Sequence, residues 1–210
     1  MKTMLRPAVA LLLAMTVITG FAYPLIVTGI AQALFPRRAN GSVIVDHRRP
    51  IGSRLIGQAF FAPRDFWGRP SATTPRPYDA LASGGSNLGP SNPALEAAVR
   101  ARIAALRAAD PGNRMPVPVD LVTASASGLD PDISLAAAEY QAGRVARARG
   151  LPLAMVRGLI AARAQRRWLG LFGEPRVNVL ELNRALDAAS ATRRGAGRPG
   201  VSAAHGAPDG

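Results

Sequence analysis

A run of 29 residues without a charged side chain, residues 7–35, constrains this 210-residue chain more than any other feature. As an α-helix the run would be roughly 43 Å long, at a rise of about 1.5 Å per residue. The hydrocarbon core of a bilayer is about 30 Å thick and is crossed by about 20 apolar residues. Arg6 precedes the run and Arg37 follows it. The sequence therefore predicts a transmembrane helix over residues 7–35, preceded by an N-terminal stub of residues 1–6.

Two other interpretations of this run stay open at the level of sequence. The basic start and the small residues Gly20 and Ala22 are also features of a signal peptide, which would be cleaved after Ala22. The product would then be a secreted or membrane-tethered binding module. The apolar character continues for 13 residues beyond Ala22, which favours a permanent span. A helix buried in a soluble protein rarely reaches this length without a charge.

Small residues recur along the predicted span and offer surfaces where a second helix could pack closely. Pro24 lies in the middle of the span and is expected to kink the helix, because it has no backbone N–H to donate. We predict a partner-helix packing surface formed by Thr16, Gly20, Pro24 and Gly29. A lone span of this kind favours a subunit of a larger membrane complex.

The composition excludes several classes of function. The formal net charge is +13, which would fit a nucleic-acid-binding protein. However, the arginines are scattered and aromatic residues make up only 5% of the chain, so no basic groove with stacking rings is indicated. We therefore predict no nucleic-acid partner. The chain has no cysteine, which excludes disulfide bonds and thiolate chemistry.

The chain after the span reads as one mixed α/β extramembrane domain, residues 36–187, so the predicted fold class is α+β. Strands are expected at residues 42–46, 54–61 and 117–123, and helices at residues 93–109, 135–149, 152–168 and 177–187. Residues 68–92 follow neither period, and their varied composition favours an ordered loop that packs on the domain. Residues 188–210 are rich in Gly, Ala, Ser and Arg and are predicted to form a disordered tail.

Catalytic motifs are scarce. The two histidines, His47 and His205, are far apart in sequence, so no zinc cluster is predicted. Asp130 and Asp132 could form an acid–base pair or a cation site, although turn formation and capping explain them equally. A hydrolase using Ser86 or Ser127 with Asp130 would lack a histidine base. The residues alone predict a protein that is not an enzyme.

Short blocks spread along the chain carry a family resemblance. The matching blocks are Arg6-Pro7-Ala8, Phe35-Pro36, and residues 19–25, 39–42, 55–58, 68–72, 82–88, 123–130, 140–141, 144–146, 173–179 and 182–183. In this set and order they resemble the C subunit of the bacterial Kdp potassium-transporting P-type ATPase. One departure is Asp132, where members of that family tend to have His or Asn, so the resemblance supports no charge-dependent role at this position.

The resemblance implies a non-catalytic subunit of a high-affinity potassium uptake complex. The implied partners are a channel-like potassium-binding subunit, a P-type ATPase subunit phosphorylated by ATP, and a small accessory subunit. The implied role is to stabilise assembly, and to act as a catalytic chaperone that raises the ATP affinity of the pump subunit. On that view Ser83, Gly84, Gly85 and Ser86 resemble part of a transporter signature loop and Gln141 approaches the nucleotide, whereas a structural turn and a capping glutamine remain the alternative. No covalently bound cofactor is implied, and ATP would bind in a ternary complex.

Membrane orientation does not follow from charge. The basic residues after the span, such as Arg37 and Arg38, naively favour a cytoplasmic domain, but long domains translocate largely regardless of charge. The resemblance implies a single-pass protein of the inner (plasma) membrane, with its N-terminus in the cytoplasm and its main domain outside.

Overall fold

The apolar run forms one continuous helical segment in this computed structural model, which describes residues 2–46 and 48–196. Helix α1 (Lys2–Val17) passes through a π-helical turn, Ile18–Ala22, into α2 (Tyr23–Leu34). The Tyr23 N–H donates to the carbonyl of Ile18, five residues back. This widened turn directly precedes Pro24, whose ring would clash with a normal α-helical turn. In the described part of the chain, Met4–Leu34 is the one helix long and apolar enough to cross a membrane.

A short helix, α3 (Pro36–Ala39), and a β-hairpin follow the apolar segment. Strand β1 (Val43–Asp46) pairs antiparallel with β2 (Arg49–Ser53), from Val43 opposite Ser53 to Asp46 opposite Arg49. The first strand was predicted within one residue, but the prediction of a second strand at residues 54–61 is wrong. Because β1 begins at Val43, which pairs with Ser53, the partner strand ends there. The chain divides into two compact units between Leu55 and Ile56.

The second unit contains the remaining helices and a second two-stranded sheet. Its elements are α4 (Pro93–Ala109), β3 (Asp132–Ser134), α5 (Leu135–Arg149), α6 (Leu153–Arg163), β4 (Arg176–Asn178) and α7 (Val179–Ala196). Strands β3 and β4 pair antiparallel, with Ile133 opposite Val177. Together with the long N-terminal apolar helix, this mixture of helices and antiparallel strands confirms the α+β class.

Local signals set several helix ends as the sequence predicts. The Asn92 Oδ1 accepts from the Ala94 N–H at 2.9 Å, with Pro93 at the first position of α4. The Ser134 Oγ accepts from the Ala137 N–H at 3.0 Å and caps α5. Gly150 ends α5 in the left-handed conformation, at φ 64°.

The core of the second unit lies among α5, α6, α7 and the β3–β4 pair. Its largest fully buried side chains are apolar, together with one amide: Phe66, Ile133, Gln141, Val145, Val156, Val177, Leu182 and Leu186. Of the aromatic group at residues 60–67, Phe66 is completely buried, whereas Phe61 is exposed. Core packing therefore explains Phe66, but it does not explain Phe61.

Four sequence-based assignments in this unit are wrong. The stretch 117–123 forms no strand but a 3₁₀ turn, Val119–Leu121, because Pro116 and Pro118 cannot donate to a strand ladder. Strand β3 lies in a stretch for which no helix or strand was predicted. Helix α6 ends at Arg163 instead of continuing to residue 168. Strand β4 occupies the start predicted for the last helix.

The last helix also continues beyond residue 187, where the predicted disordered tail was to begin. Helix α7 runs to Ala196, and the Ser190 Oγ donates to the Leu186 carbonyl from a buried position inside it. The alanines of residues 188–196 favour helix, and composition alone did not reveal that. The remainder of the predicted tail, residues 197–210, lies outside the described residues.

Candidate functional site

Two side-chain amides hold the extended segment at Phe66 and Trp67. The Asn183 Oδ1 accepts from the Phe66 N–H at 2.8 Å, and its Nδ2 donates to the Phe66 carbonyl at 3.0 Å. Gln141 repeats the pattern one residue further on: its Oε1 accepts from the Trp67 N–H at 2.8 Å, and its Nε2 donates to the Trp67 carbonyl at 3.1 Å. We call Gln141 and Asn183 the amide clamp. It joins α5 and α7 to this segment as a neighbouring strand would.

Arg144 closes the same arrangement. Its Nη2 donates to the Gln141 Oε1 at 2.7 Å and its Nη1 to the Pro63 carbonyl at 2.5 Å. Its guanidinium carbon lies 4.4 Å from the centre of the Trp67 ring, a cation–π contact. Burial lowers the pKa of Arg144 to about 10, and the nearby Asp110 and Asp65 oppose that effect. Arg144 therefore fixes both the Gln141 amide and the Trp67 ring.

These contacts occupy Gln141, the residue predicted to approach nucleotide. Gln141 is 1% exposed, and both the oxygen and the nitrogen of its side-chain amide have partners within the protein. Gln141 lines neither the cleft of about 690 Å³ beside Tyr140 and Arg147 nor the cleft of about 330 Å³ beside Trp67 and Arg102. A nucleotide could therefore contact the Gln141 amide only if its bonds to Trp67 and Arg144 were broken first.

The predicted signature loop packs on another part of the chain. The Ser83 Oγ and the Gly84 N–H both donate to the Ser127 carbonyl, each at 3.0 Å. A Cβ on Gly85 would lie 2.9 Å from the Ala126 carbonyl oxygen. Gly128 has φ 66°, and a Cβ there would lie 2.8 Å from the Gly84 carbonyl oxygen. The loop is thus fixed on residues 126–128, whereas Gln141 is bonded to the segment at Trp67.

The loop of residues 68–92 is ordered, as its composition predicts. The Ser71 Oγ donates to the Gly128 carbonyl at 2.7 Å and accepts from the Tyr78 N–H at 2.9 Å. The Tyr78 hydroxyl donates to the Arg69 carbonyl at 2.5 Å. Burial, and then the charge of Asp130, raise the pKa of Tyr78 to about 12, so the hydroxyl keeps its proton as a donor.

Asp130 and Asp132 both serve the local backbone and the β3–β4 pair. The Asp130 Oδ1 accepts from the Asp132 N–H, and its Oδ2 accepts from Arg69, each at 3.0 Å. The Asp132 Oδ2 accepts from the Arg176 Nε at 2.8 Å across the strand pair. Among residues 2–46 and 48–196, no group of three or more His, Cys, Asp or Glu side chains is placed so that it could hold a metal ion. The turn interpretation of these carboxylates therefore has direct support.

Replacing Asp132 with Asn is expected to raise the free energy of unfolding at neutral pH, because the change removes a charge that is partly desolvated in the folded state. Solvent screening at this partly exposed site limits the gain to a few tenths of a kcal/mol. Desolvation is the main cause that raises the Asp132 pKa above 3.8, and Asp130 adds to it although Arg176 opposes it. A raised pKa means that the charged form is disfavoured in the folded state. The contribution of Asp132 to the free energy of unfolding is therefore fully present at pH values below its pKa in the unfolded chain. That contribution is lost as the pH rises through its pKa in the folded state.

The gain in the Asn variant should therefore shrink as the pH is lowered, which urea unfolding at several pH values would measure. Asp130→Asn is the matched control and should destabilise, because Asp130 uses one oxygen for the Asp132 backbone N–H and the other for Arg69, and an amide has only one oxygen to accept with. A gain for Asp132→Asn that is independent of pH would contradict the electrostatic explanation.

The residues predicted to pack against partner helices lie on an exposed helical surface. The Thr16 Oγ1 donates to the Leu12 carbonyl at 2.8 Å, so this hydroxyl is satisfied within the helix. A Cβ on Gly20 would meet only Thr16, at 4.0 Å, and a Cβ on Gly29 would meet no described atom within 4 Å. These positions therefore have room for a neighbouring helix. The packing itself stays a prediction.

Sequence reasoning assigned no role to Asn183, Arg144 or the turn at residues 166–174. Asn183 and Arg144 belong to blocks that carry the resemblance, but their partners lie far away in sequence. The turn could have been found from its Trp-Leu-Gly-Leu-Phe run, which places four large apolar residues within five positions.

Comparison with known proteins gives a family over most of the chain. A family model described as "KdpC: K+-transporting ATPase, c chain" matches residues 5–188. A potassium-transporting ATPase KdpC subunit of Methylibium petroleiphilum is 67% identical over 187 residues, covering 89% of this chain and 98% of the relative. Subunits of the same name from Polaromonas naphthalenivorans and Variovorax paradoxus are 66% and 63% identical, covering 90% and 92% of this chain and 96% and 100% of the relatives.

The matched region includes both the N-terminal apolar helix and the domain that follows it. The alternative function, a secreted or membrane-tethered binding module, receives no support from these relatives. The resemblance predicted from the short blocks is confirmed: this chain belongs to the KdpC family, the c chain of K+-transporting ATPases.

Proposed function

We propose that this chain is a non-catalytic subunit that stabilises a high-affinity, ATP-driven potassium uptake complex. The observation that carries the proposal is the family match, which runs through the span and through the domain that ends in α7. The chemistry-bearing side chains of the domain also support it. Asp130, Asp132 and Gln141 all hold backbone or neighbouring strands in place.

The proposed partners are a channel-like potassium-binding subunit, a P-type ATPase catalytic subunit and a small accessory subunit. The helical segment would meet them through Thr16, Gly20, Pro24 and Gly29. Its exposed small residues support this, since close helix packing in a membrane needs small side chains. The π-turn before Pro24 adds a fixed irregularity that a partner surface can complement.

A strain that lacks this subunit should lose growth at micromolar potassium and recover it when the wild-type gene is supplied. Gly29→Leu should restore growth poorly and lower co-purification of the partner subunits roughly tenfold, the factor given by about 1.4 kcal/mol. A Cβ at this position would meet no described atom within 4 Å apart from the local helix backbone, so a loss would report on the partner.

Val27→Leu is the matched control, because Val27 is already a large side chain in the same helix. It should behave as the wild type. Growth of the deletion strain at wild-type rate would contradict the proposed function. Normal co-purification of Gly29→Leu would remove Gly29 from the packing surface while leaving the function intact.

We also propose a location in the inner (plasma) membrane, with the N-terminus in the cytoplasm and the domain outside. The chain has no cysteine, so a single introduced one reports on orientation without interference. Ser86 is suitable because it is exposed. In whole cells Ser86→Cys should react with a membrane-impermeant maleimide, whereas Thr3→Cys should react only after lysis. The reverse pattern would place the domain in the cytoplasm.

A role as catalytic chaperone, which raises the ATP affinity of the pump subunit, is the finer part of the proposal. Gln141 and the loop residues Ser83, Gly84, Gly85 and Ser86 are its candidate contacts, in a ternary complex with ATP. Backbone N–H groups of a glycine-rich loop can bind phosphate. Gln141, however, would first have to leave Trp67. The amide-clamp variants in the Discussion separate these two roles.

A further inference from the structure

The turn that joins α6 to β4 carries four large apolar side chains that no described residue covers. Trp168 is 69% exposed, Leu169 72%, Leu171 76% and Phe172 61%. We call residues 166–174 the apolar tip, and every residue in it is exposed. Single exposed apolar residues are ordinary on a protein surface. Four of them on one turn mark an interaction site.

Backbone hydrogen bonds hold the apolar tip in one conformation. The Trp168 N–H donates to the Phe172 carbonyl at 2.8 Å, and the Phe172 N–H donates to the Trp168 carbonyl at 3.0 Å. Leu169 and Gly170 both have positive φ, 52° and 74°, as the two central residues of a type I′ turn do. The Trp168 and Phe172 rings lie 5.8 Å apart. The apolar side chains are thus presented outward on a fixed hairpin.

An excess of positive charge flanks the apolar tip. Residues 163–176 contain four arginines and one glutamate. The Arg167 Nη2 lies 2.9 Å from both carboxylate oxygens of Glu174, so that pair is neutral. Arg163 and Arg166 have no acidic partner within the described residues. Arginine guanidinium groups bind phosphate oxygens through paired N–H donors.

We propose that the apolar tip inserts into the interfacial layer of an anionic phospholipid bilayer, with Arg163 and Arg166 on the headgroup phosphates. Tryptophan prefers the headgroup level of a bilayer, and basic residues next to an apolar surface add attraction to anionic lipid. A protein partner would have to supply both an apolar recess and matching carboxylates. An anionic bilayer supplies an apolar layer and negatively charged phosphates over its whole surface.

The membrane span makes this insertion favourable even when it is weak by itself. Residues 35–55 lie between α2 and the second unit, so the unit that carries the apolar tip is tethered to any bilayer that the apolar helix crosses. Such tethering converts binding into an intramolecular event with a high effective concentration. The inference needs only the span. It does not depend on orientation or on potassium transport.

Quenching of Trp168 fluorescence by lipid tests the proposal on the full chain. The chain is reconstituted through its own span into nanodiscs of phosphatidylcholine and phosphatidylglycerol with brominated acyl chains. It has two tryptophans, Trp67 and Trp168, so the difference between wild type and Trp168→Phe isolates the Trp168 emission. We expect strong quenching of that emission, and less in nanodiscs of phosphatidylcholine alone.

Three variants separate insertion from mere proximity. Leu169→Ser combined with Leu171→Ser keeps the tryptophan but removes two exposed apolar groups that insertion would bury, and should weaken insertion about tenfold or more. Leu81→Ser is the matched control, because Leu81 is 97% exposed but lies outside the apolar tip, and it should leave quenching unchanged. Arg163→Gln combined with Arg166→Gln should remove the preference for phosphatidylglycerol.

Two results would overturn the proposal. One is a Trp168 emission that brominated lipid does not quench, or that it quenches equally in the double-serine variant. The other is a Trp168 emission that changes only when the partner subunits are co-reconstituted, which would assign the apolar tip to a protein surface. Circular dichroism of each variant checks that the fold is kept. It should be kept, because the exposed side chains of the apolar tip are not part of the buried core.

Discussion

Replacing Gln141 with alanine is expected to lower the free energy of unfolding by about 3 kcal/mol. The change leaves the Trp67 N–H and carbonyl without their partners, and each unsatisfied buried group costs about 1–3 kcal/mol. It also removes the acceptor for Arg144 and leaves a cavity at a fully buried position. Guanidinium unfolding of the detergent-solubilised chain, followed by circular dichroism, measures the loss.

Glu139→Gln is the control on the same helix. Glu139 makes an ion pair with Arg157 at the surface, and such pairs contribute about 0–1 kcal/mol. A Gln141→Ala variant no less stable than Glu139→Gln would show that water replaces the clamp at little cost. Asn183→Ala should resemble Gln141→Ala, because it removes the equivalent pair of bonds from Phe66. The double variant should lose less than the sum, since one break already frees the segment.

The same two variants separate a structural role of Gln141 from a nucleotide contact. Both release the segment at Phe66 and Trp67, but only one removes Gln141. If Gln141 touches ATP in the assembled complex, photoreactive ATP should label the chain poorly in Gln141→Ala and normally in Asn183→Ala. Equal labelling in the two variants would assign Gln141 to the amide clamp alone.

The parts of the fold that were predicted from sequence are those set by neighbours in the chain. Asn92 and Ser134 cap the helices that follow them through bonds spanning two or three residues, and Gly150 ends α5 by its own conformation. The apolar run of the span is equally local. Each of these signals is complete within one helical turn, so no knowledge of the tertiary structure is needed.

The parts that were missed depend on distant partners. Asn183 and Phe66 are 117 residues apart, and Gln141 and Trp67 are 74 apart, so no periodicity links them. Strands β3 and β4 have three residues each and exist only as a pair. The short sequence blocks were enough to identify the family, because they are spread over the same range that the family model matches, residues 5–188. The blocks did not reveal which contacts each residue makes. Gln141, for example, lies in one of these blocks, but its bonds to Trp67 could not be predicted from it.

Gly128→Ala is expected to lower the free energy of unfolding by about 3 kcal/mol. Its φ of 66° is unfavourable for any residue with a Cβ, by roughly 1–2 kcal/mol. The added Cβ would also lie 2.6 Å from the Thr73 Cγ2 and 2.8 Å from the Gly84 carbonyl oxygen. Crowding of this kind in a packed site costs about 1–3 kcal/mol. Thermal unfolding of the full chain in detergent measures the change.

Two neighbouring glycines provide the matched comparison. Gly85→Ala should also destabilise, since its Cβ would lie 2.9 Å from the Ala126 carbonyl oxygen. Gly84→Ala should be tolerated, because its Cβ would meet only the Ala82 carbonyl oxygen, at 3.9 Å. A phosphate-binding loop would show another pattern, in which Gly84→Ala and Gly85→Ala keep stability and lose ATP labelling. The order of stability loss expected here instead follows how closely each Cβ would approach the backbone opposite, so packing on Ala126 accounts for Gly85 but not for Gly84.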